Sequence, residues 1–387
     1  MKKKVLRERP FEYLRRLGDN QPFPAETVRN WYVARAYVLD KLKDTAFAPG
    51  SAERLSVVVD GDSPLLLSVV RQLALCAHYV NYEEYDQLGR FSCRNRTVVT
   101  IVTGKDKDSI LSELGKEEYL NLLIRHCKYT VFGETVNEGS YIDIEFCIVR
   151  ERPQDCPVCI KEEDVTGFAA ACNQEELYSI DTRKAVLTGR VYKLGAIIDN
   201  LPAEDIHSAK RYIHALDTFQ YRLLAEKIRP MIDDAKWKSS QTAVRGNLSN
   251  LFCSDCFESR ALSIKRFCEA SGMPEQDAWE INNEALSVSE HHRWVADKLI
   301  MGFRPLLEQE RLSYESLFGK NRYSYWKMLK NDSKAPSHID LCSYRDLRRI
   351  DPDNMKYDSF LMLAIPIILK TLCLLPSGRR PCGGKVG

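Results

Sequence analysis

The chain has no excess of charge of either sign and no long apolar run. Among its 387 residues, 56 are basic and 54 acidic. Proteins that follow nucleic-acid phosphates concentrate positive charge, so we expect no direct nucleic-acid binding. The basic start leads into polar residues and lacks the apolar stretch of a secretory signal, which predicts a cytoplasmic protein. The most apolar segment, 360–376, is shorter than the ~20 residues that cross a bilayer, so it predicts a buried final helix and no membrane span.

The sequence also lacks the short motifs that mark common enzyme classes. It contains no G-x-S-x-G, no H-E-x-x-H and no Walker phosphate-binding loop. His207 and His214 are spaced to share one face of a predicted helix, but a metal there would need further ligands. We therefore predict a non-enzymatic protein with no catalytic residues.

Cysteine is abundant, with thirteen residues, but scattered. Two C-x-x-C pairs occur, Cys156/Cys159 and Cys253/Cys256. Four thiolates suit structural zinc, and the first pair also has the spacing of a redox motif. The pairs lie far apart in the chain, however, and the second falls in a helical pattern. We favour small buried or loop thiols and predict no metal site.

Residues 51–160 have the pattern of an open α/β sheet. Strands are predicted at 55–59, 97–103, 129–132 and 141–149, and helices at 65–78 and 107–127. The first strand is a β-branched run with little alternation, which is typical of a strand buried on both faces of a parallel sheet. The alternation of strand and helix predicts a Rossmann-like, mostly parallel sheet.

The turn after the first predicted strand is the candidate cofactor site of this sheet. Ligands of such sheets bind beyond the carboxyl ends of the strands, where this chain places Gly61, Asp62, Ser63 and Thr103. A dinucleotide fingerprint requires three glycines, of which only Gly61 is present, and the flanking carboxylates repel phosphate. The sequence therefore assigns no cofactor with certainty, and NAD or another nucleotide is the candidate.

The remainder of the chain is predicted to be helical. We divide it into an N-terminal helical segment at 1–50, a helical connecting region at 161–240, a helical domain at 241–376 and a disordered tail at 377–387. Helices are predicted at 182–199, 202–224, 248–270, 278–301 and from 352 onward, with a polar connection at 304–340. The fold class is thus α/β followed by all-α.

The helix at 278–301 and the loop returning to it contain the candidate ligand site. Its residues combine cations, aromatic rings and an acid: Glu290, His291, Arg293, Trp294, Lys298, Phe303, Arg304, His338 and Tyr344. Arginine binds phosphates through its planar fork, and aromatic rings stack on bases. The alternative stays open that the aromatic residues form the core and that Arg293 pairs with Asp297 on the surface. The two interpretations are compatible, because a small helical module uses some of these side chains for packing.

These residues resemble the RyR domain, which is named after repeats in ryanodine receptors and also occurs alone or fused in bacterial proteins. The strands of 51–160 are similar to the TrkA-N, Rossmann-type domain that is fused to some members. The sequence departs from the pattern at Phe303, where members often have Trp or Tyr, and in the glycine loop, which is mostly lost. The resemblance is carried by Glu290-His291-x-Arg293-Trp294, Lys298-Leu299, Gly302-Phe303-Arg304, His338, Tyr344 and Tyr357-Asp358.

The resemblance implies an all-helical C-terminal module for ligand or protein recognition. In bacteria, fused RyR domains are proposed as nucleotide-signal sensors in defence systems. We therefore expect a cytoplasmic, homo-oligomeric sensor whose RyR-like domain recognises a small nucleotide-like or anionic ligand in antiviral defence or signalling. The alternatives are a regulatory NAD- or nucleotide-binding subunit of a potassium transport system, and a protein-interaction module.

Overall fold

The computed structural model describes residues 25–87, 90–138, 141–173, 248–332, 335–351 and 354–374, together with residues 177, 184, 185, 187 and 188. Three predicted parts therefore lie outside the described residues: positions 1–24 of the N-terminal segment, most of the connecting region with its helices, and the tail.

The first half of the described chain is built on a mostly parallel sheet, as predicted. The strands are β1 (Ser56–Asp60), β2 (Glu83–Gln87), β3 (Arg90–Arg94), β4 (Thr97–Val102), β5 (Lys128–Val131), β6 (Glu134–Asn137), β7 (Ile144–Val149) and β8 (Val158–Lys161). Six of them form one sheet in the order β6-β5-β7-β4-β1-β8, in which only β6 is antiparallel to its neighbour. Strands β2 and β3 form a separate hairpin. The four predicted strands are confirmed with ends that differ by at most three residues, whereas β2, β3, β6 and β8 were not predicted.

The strand order of this sheet differs from that of the classic dinucleotide-binding fold. In that fold the first strand lies between the second and the fourth. Here β1 lies between β4, the next parallel strand along the chain, and β8, the last. The parallel α/β architecture is therefore confirmed, but its strand order is not the one that the dinucleotide fingerprint usually accompanies.

Five helices belong to this half: α1 (Ala25–Leu42), α2 (Pro64–Cys76), α3 (Lys107–Lys116), α4 (Glu118–His126) and α5 (Glu162–Ala171). The prediction of one helix at 107–127 is wrong, because the chain breaks at Glu117 (φ −86°, ψ 59°). Leu114 and Leu120 are both fully buried. Six residues apart, they would lie on different faces of a continuous helix, and the break returns both to the core.

The second half consists of α6 (Leu248–Asp255), α7 (Phe257–Ser271), α8 (Glu275–Ile281), α9 (Asn283–Ile300), α10 (Glu308–Ser316), α11 (Gly319–Lys330), α12 (Tyr344–Ile350) and α13 (Met355–Leu374). The predicted helices at 248–270 and 278–301 are each two helices, which meet at Cys256 and at Asn282. The predicted connection at 304–340 contains α10 and α11. Gly272 ends α7 in the left-handed conformation (φ 70°), where the sequence placed the stop.

Helix α9 joins the two halves through side chains that belong to two hydrophobic cores. Its C-terminal part packs on α2 and α4, so that Val295 and Leu299 share one core with Val57 and Val59 of the sheet. Its N-terminal part contributes Leu286 to a second core with α7, α8 and α13. The predicted site helix is therefore clamped between the sheet half and the final helix.

The final helix α13 is the segment whose apolar character raised the question of a membrane span. It contains Pro366 and buries Leu361, Ile365 and Ile368 in the second core. Within the described part of the chain, no helix has both the length and the apolar character needed to cross a membrane.

Candidate functional site

Two of the predicted ligand residues, Glu290 and Arg293, form a buried ion network inside the helical half. Both have no exposed surface. Arg293 donates from Nε and Nη2 to the two carboxylate oxygens of Glu290, each at 2.9 Å. Arg260 of α7 places Nη2 2.9 Å from Glu290 Oε2, and Arg293 Nη1 lies 3.4 Å from Asp297 Oδ2. Ser249 donates to the same Asp297 oxygen.

The electrostatics of this network follow from the two arginines around one carboxylate. Burial alone would raise the pKa of Glu290, but the guanidinium groups of Arg293 and Arg260 outweigh it and lower that pKa to about 2. Burial likewise acts to lower the pKa of Arg293, and Glu290 reverses the direction. Glu290 and Arg293 thus pair with each other on the buried face of α9 that is turned toward Arg260 of α7. A ligand would have to break this network to reach them.

His291 and Tyr344 fasten the loop before α12 to α9. His291 Nε2 lies 2.8 Å from the Cys342 carbonyl, and its ring is 5.6 Å from that of Tyr344. Burial, followed by the neighbouring His292, lowers the pKa of His291 to about 4, so the ring is neutral at physiological pH and donates to the carbonyl. Both predicted site residues are buried. They position the loop that carries His338.

His338 is the centre of an aromatic cluster, which consists of Trp294, Phe303, Trp326 and His338. The His338 ring lies edge-on to Trp294 at 4.9 Å, to Trp326 at 5.9 Å and to Phe303 at 6.3 Å. Trp294 and Phe303 come from α9 and the turn after it, Trp326 from α11. The structure thus brings three of the predicted residues together and adds one that was not predicted. The two indole rings are only partly buried.

Two lysines lie over the tryptophan faces of the aromatic cluster. Lys298 Nζ is 5.5 Å from the Trp294 ring centre and Lys330 Nζ is 4.6 Å from that of Trp326. Both distances are within the range of cation–π attraction. Burial lowers the pKa of Lys330. Burial and these two ammonium groups hold the pKa of His338 well below its usual range, so this histidine is neutral. The cluster therefore has two cations at its rim and a neutral ring at its centre.

The backbone around Arg304 holds the loop of His338 against the end of α9. Arg304 N donates to the Pro336 carbonyl at 3.0 Å, and His338 N donates to the Arg304 carbonyl at 3.1 Å. The Arg304 side chain binds both oxygens of Glu310, at 2.7 and 2.8 Å. Gly302 turns the chain after α9 with φ 85°, and a Cβ at this position would overlap the Tyr119 ring. Arg304 is thus a structural anchor of the site.

Three buried polar atoms next to the aromatic cluster have no hydrogen-bond partner among the residues that the structure describes: Trp326 Nε1, Ser337 Oγ and Asp340 Oδ1. Asp340 is 7% exposed, and its other oxygen accepts from Asn354 Nδ2 at 2.9 Å. Burial, followed by the charge of Asp351, raises the pKa of Asp340 to about 7. Buried polar groups are normally paired, so these three atoms can take a hydrogen bond from or to a water molecule or a polar ligand.

The predicted cofactor residues at the sheet do lie together, but they satisfy one another. Gly61 has φ 136°, and Ser63 caps α2 by accepting from Leu66 N at 3.3 Å. Asp62 accepts from Thr103 Oγ1 at 2.6 Å and lies 3.1 Å from Lys105 Nζ. The Asp62 carboxylate is thus held at the turn, where its negative charge would repel a phosphate. This geometry gives the NAD prediction little support.

A cleft of about 480 Å³ lies beside this turn, between α1, α2 and α5, and the sequence did not indicate it. Its charged lining residues are Glu26, Arg29 and Glu162. Two acids against one base do not favour an anion. The aromatic cluster remains the better candidate for a nucleotide-like ligand.

The cysteine pairs do not meet at a common site in the described part of the chain. Cys253 and Cys256 are buried in α6 and at its end, where burial raises the pKa of Cys256 to about 12. Cys156 and Cys159 are half-buried near β8. Among the described residues, no group of three or more His, Cys, Asp or Glu side chains is arranged to hold a metal ion.

Four residues of the candidate site were not among the predicted site residues: Trp326, Lys330, Ser337 and Asp340. The first two are four residues apart, a spacing that places them on one helix face, but the polar segment around them concealed the helix. The last two flank the predicted His338. Compared with protein-family models, curated proteins and solved structures, the chain has no significant match.

Proposed function

We propose that this protein is a non-enzymatic sensor that binds a nucleotide-type, anionic ligand at the aromatic cluster. The observation that carries the proposal is the pair of tryptophans, Trp294 and Trp326. Each has a lysine over its face, and both meet the buried His338.

The two tryptophan ring faces and the two lysine ammonium groups suit different parts of a nucleotide, the base and the phosphates. Stacking of a base on an aromatic side chain contributes about 1–3 kcal/mol. A nucleotide that stacks on Trp294 or Trp326 displaces the lysine from that face, and its phosphates then attract the released ammonium group. Phosphate is a stronger partner for lysine than a ring face is. The lysines thus fill the faces in the absence of ligand and bind the anion in its presence.

Packing of α9 on both halves supports the idea that the sheet half responds to the ligand. Trp294 and Lys298 belong to α9, whose residues Val295 and Leu299 pack in the core of the sheet half. A ligand that shifts α9 is thus coupled to the sheet, which transmits the signal or oligomerises. The RyR resemblance, the cytoplasmic location and the role in defence or signalling are parts of this proposal.

The first test is calorimetric titration and thermal shift of the full chain with NAD, NADP, ATP, GTP, SAM and cyclic di- and oligonucleotides. At ~100 times its Kd, a ligand adds about 2.7 kcal/mol to the free energy of unfolding. The double variant Lys298→Met/Lys330→Met is expected to lose binding. Lys327→Met, an exposed lysine on the same helix α11, is the matched control and should bind normally. Absence of binding by folded wild type at millimolar nucleotide would refute the proposal.

A second candidate function, a protein-interaction module, is favoured by an apolar surface on α10 and α11. Five large apolar side chains here are more than half exposed: Leu307, Leu312, Phe318, Tyr323 and Met328. A contiguous exposed apolar patch is a usual mark of a protein-interaction site. The alternative function, a regulatory subunit of a potassium transport system, requires nucleotide binding at the turn of Gly61, which is less well supported as a site than the aromatic cluster.

A further inference from the structure

The unpaired polar atoms beside the aromatic cluster indicate which base the ligand carries. We propose that the ligand is a guanine nucleotide, whose Watson–Crick edge donates to the Asp340 carboxylate. This inference rests on the proposed function and specifies its ligand.

Asp340 lies beside the aromatic cluster. Its backbone N–H donates to His338 Nδ1 at 3.3 Å, so the acid lies next to the ring on which both tryptophans converge. Asn354 binds Oδ2, which leaves Oδ1 as the unpaired acceptor. Ser337 is the residue before His338 and is 1% exposed, and its hydroxyl likewise has no hydrogen-bond partner in the described part of the chain.

The hydrogen-bonding capacity of these groups favours guanine over the other bases. An ionised carboxylate only accepts hydrogen bonds, and the indole N–H of Trp326 only donates. Guanine has two neighbouring donors, the N1–H and the 2-amino group, and it has acceptors at O6 and N7. Adenine and cytosine place a ring-nitrogen acceptor beside their amine, which the carboxylate repels, and uracil flanks its single N–H with two carbonyls. The guanine donors match Asp340, and the guanine acceptors match Trp326 or Ser337.

Burial and the charge of Asp351 raise the pKa of Asp340 to about 7, so both the neutral and the ionised form of this acid are present near neutral pH. Lys330, whose ammonium group lies over Trp326, is one of the charges that act on Asp340 and favours its ionised form. Two N–H donors from a ligand favour it further.

The test exchanges the acceptor for a donor at one position. In Asp340→Asn, the amide oxygen can keep the bond from Asn354, and the NH₂ group then takes the place of Oδ1. Xanthine carries a carbonyl where guanine carries the 2-amino group. Calorimetric titration with GTP, ITP, ATP and XTP is expected to show a preference of wild type for GTP over ATP of about tenfold or more. The variant should reverse the order of GTP and XTP. Asp277→Asn, an exposed position on α8, is the matched control.

The outcomes separate this inference from the proposed function. If wild type binds the four nucleotides equally, or if Asp340→Asn leaves their order unchanged, the guanine assignment is overturned while the nucleotide sensor stands. If folded wild type binds none of them, both are overturned. Should the variant lose its circular-dichroism signal, the comparison of GTP with ITP on wild type still decides. ITP lacks only the 2-amino group, so equal affinity for the two rejects the predicted contact.

Discussion

Replacement of Glu290 by glutamine is the sharpest perturbation of the buried ion network. Glu290 is the only carboxylate that the described network places against both Arg260 and Arg293. Glutamine keeps the size of the side chain and removes its charge. Arg260 then has no paired acid among the network residues, and Arg293 retains the longer contact with Asp297 alone.

The size of the effect follows from the burial of the ion pair and from the pKa of Glu290. Breaking a buried pair by removal of one partner costs about 3–5 kcal/mol, because the other charge stays buried and uncompensated. The pKa of Glu290 falls from its ordinary value near 4.5 to about 2. At about 1.4 kcal/mol per pKa unit, this shift corresponds to roughly 3 kcal/mol. We therefore expect Glu290→Gln to lower the free energy of unfolding by about 3 kcal/mol or more.

The assay is urea unfolding at pH 7 with Glu284→Gln as the matched control. Glu284 lies on the same helix and also pairs with an arginine, Arg348, but this pair is exposed. Surface pairs contribute about 0–1 kcal/mol, so the control should unfold close to wild type. If Glu290→Gln costs no more than Glu284→Gln, the reasoning about the network is refuted.

The pH dependence of the same variant has a defined sign. The folded pKa of Glu290 is depressed, so its contribution is fully present above the unfolded value near 4.5 and is lost as the pH falls toward about 2. The gap between wild type and Glu290→Gln should therefore narrow between pH 4.5 and pH 2.5. A constant gap over this interval would show that the charge of Glu290 is not the cause.

Three further predictions concern stability. Gly302→Ala introduces a Cβ that overlaps Tyr119 at a positive φ, so it should lower the free energy of unfolding, measured by thermal unfolding, by about 2 kcal/mol or more. Gly319 has φ 54° but no atom near its Cβ position, so Gly319→Ala should lower it by about 1 kcal/mol. Equal costs would count against the tight approach of Tyr119. The pKa of Asp340 rises from 3.8 in the unfolded chain to about 7 in the folded protein, so wild type loses stability as the pH rises between these values. Asp340→Asn should not show this loss. Its melting temperature relative to wild type should therefore rise from pH 4.5 to pH 7.5. A flat difference would contradict the raised pKa. Asp255→Asn breaks a largely buried ion pair that joins α1 to α6, in which Arg35 Nε lies 2.9 Å from Asp255. It should lower the free energy of unfolding by about 3 kcal/mol, whereas Asp40→Asn, at the exposed pair with Lys43, should lower it by less than about 1 kcal/mol. Similar losses for the two variants would refute the distinction between buried and exposed pairs.

Local sequence patterns predicted much of the sheet and part of the candidate site. The β-branched run ending at Val59 is buried on both faces of a central strand, and such a run has few other places in a folded chain. Trp294, Phe303 and His338 were named from the sequence and do lie together. Strand β8 and the hairpin β2–β3 were missed because each of these strands is only four or five residues long.

The identity of each side chain's partner was decided by the tertiary structure. Arg293 and Lys298 are neighbours on α9, and sequence alone made both candidates for a ligand. Arg293 is buried and pairs with Glu290, whose second partner is Arg260 of α7. Lys298 lies at the rim of the aromatic cluster, over Trp294. Trp326 and Lys330 joined the site only because α11, hidden in a polar segment, ends against the loop of His338, where Ser337 N donates to the Leu329 carbonyl at 3.1 Å. Spacing along a helix determines which residues share a face, but the helices packed around it decide which face is closed.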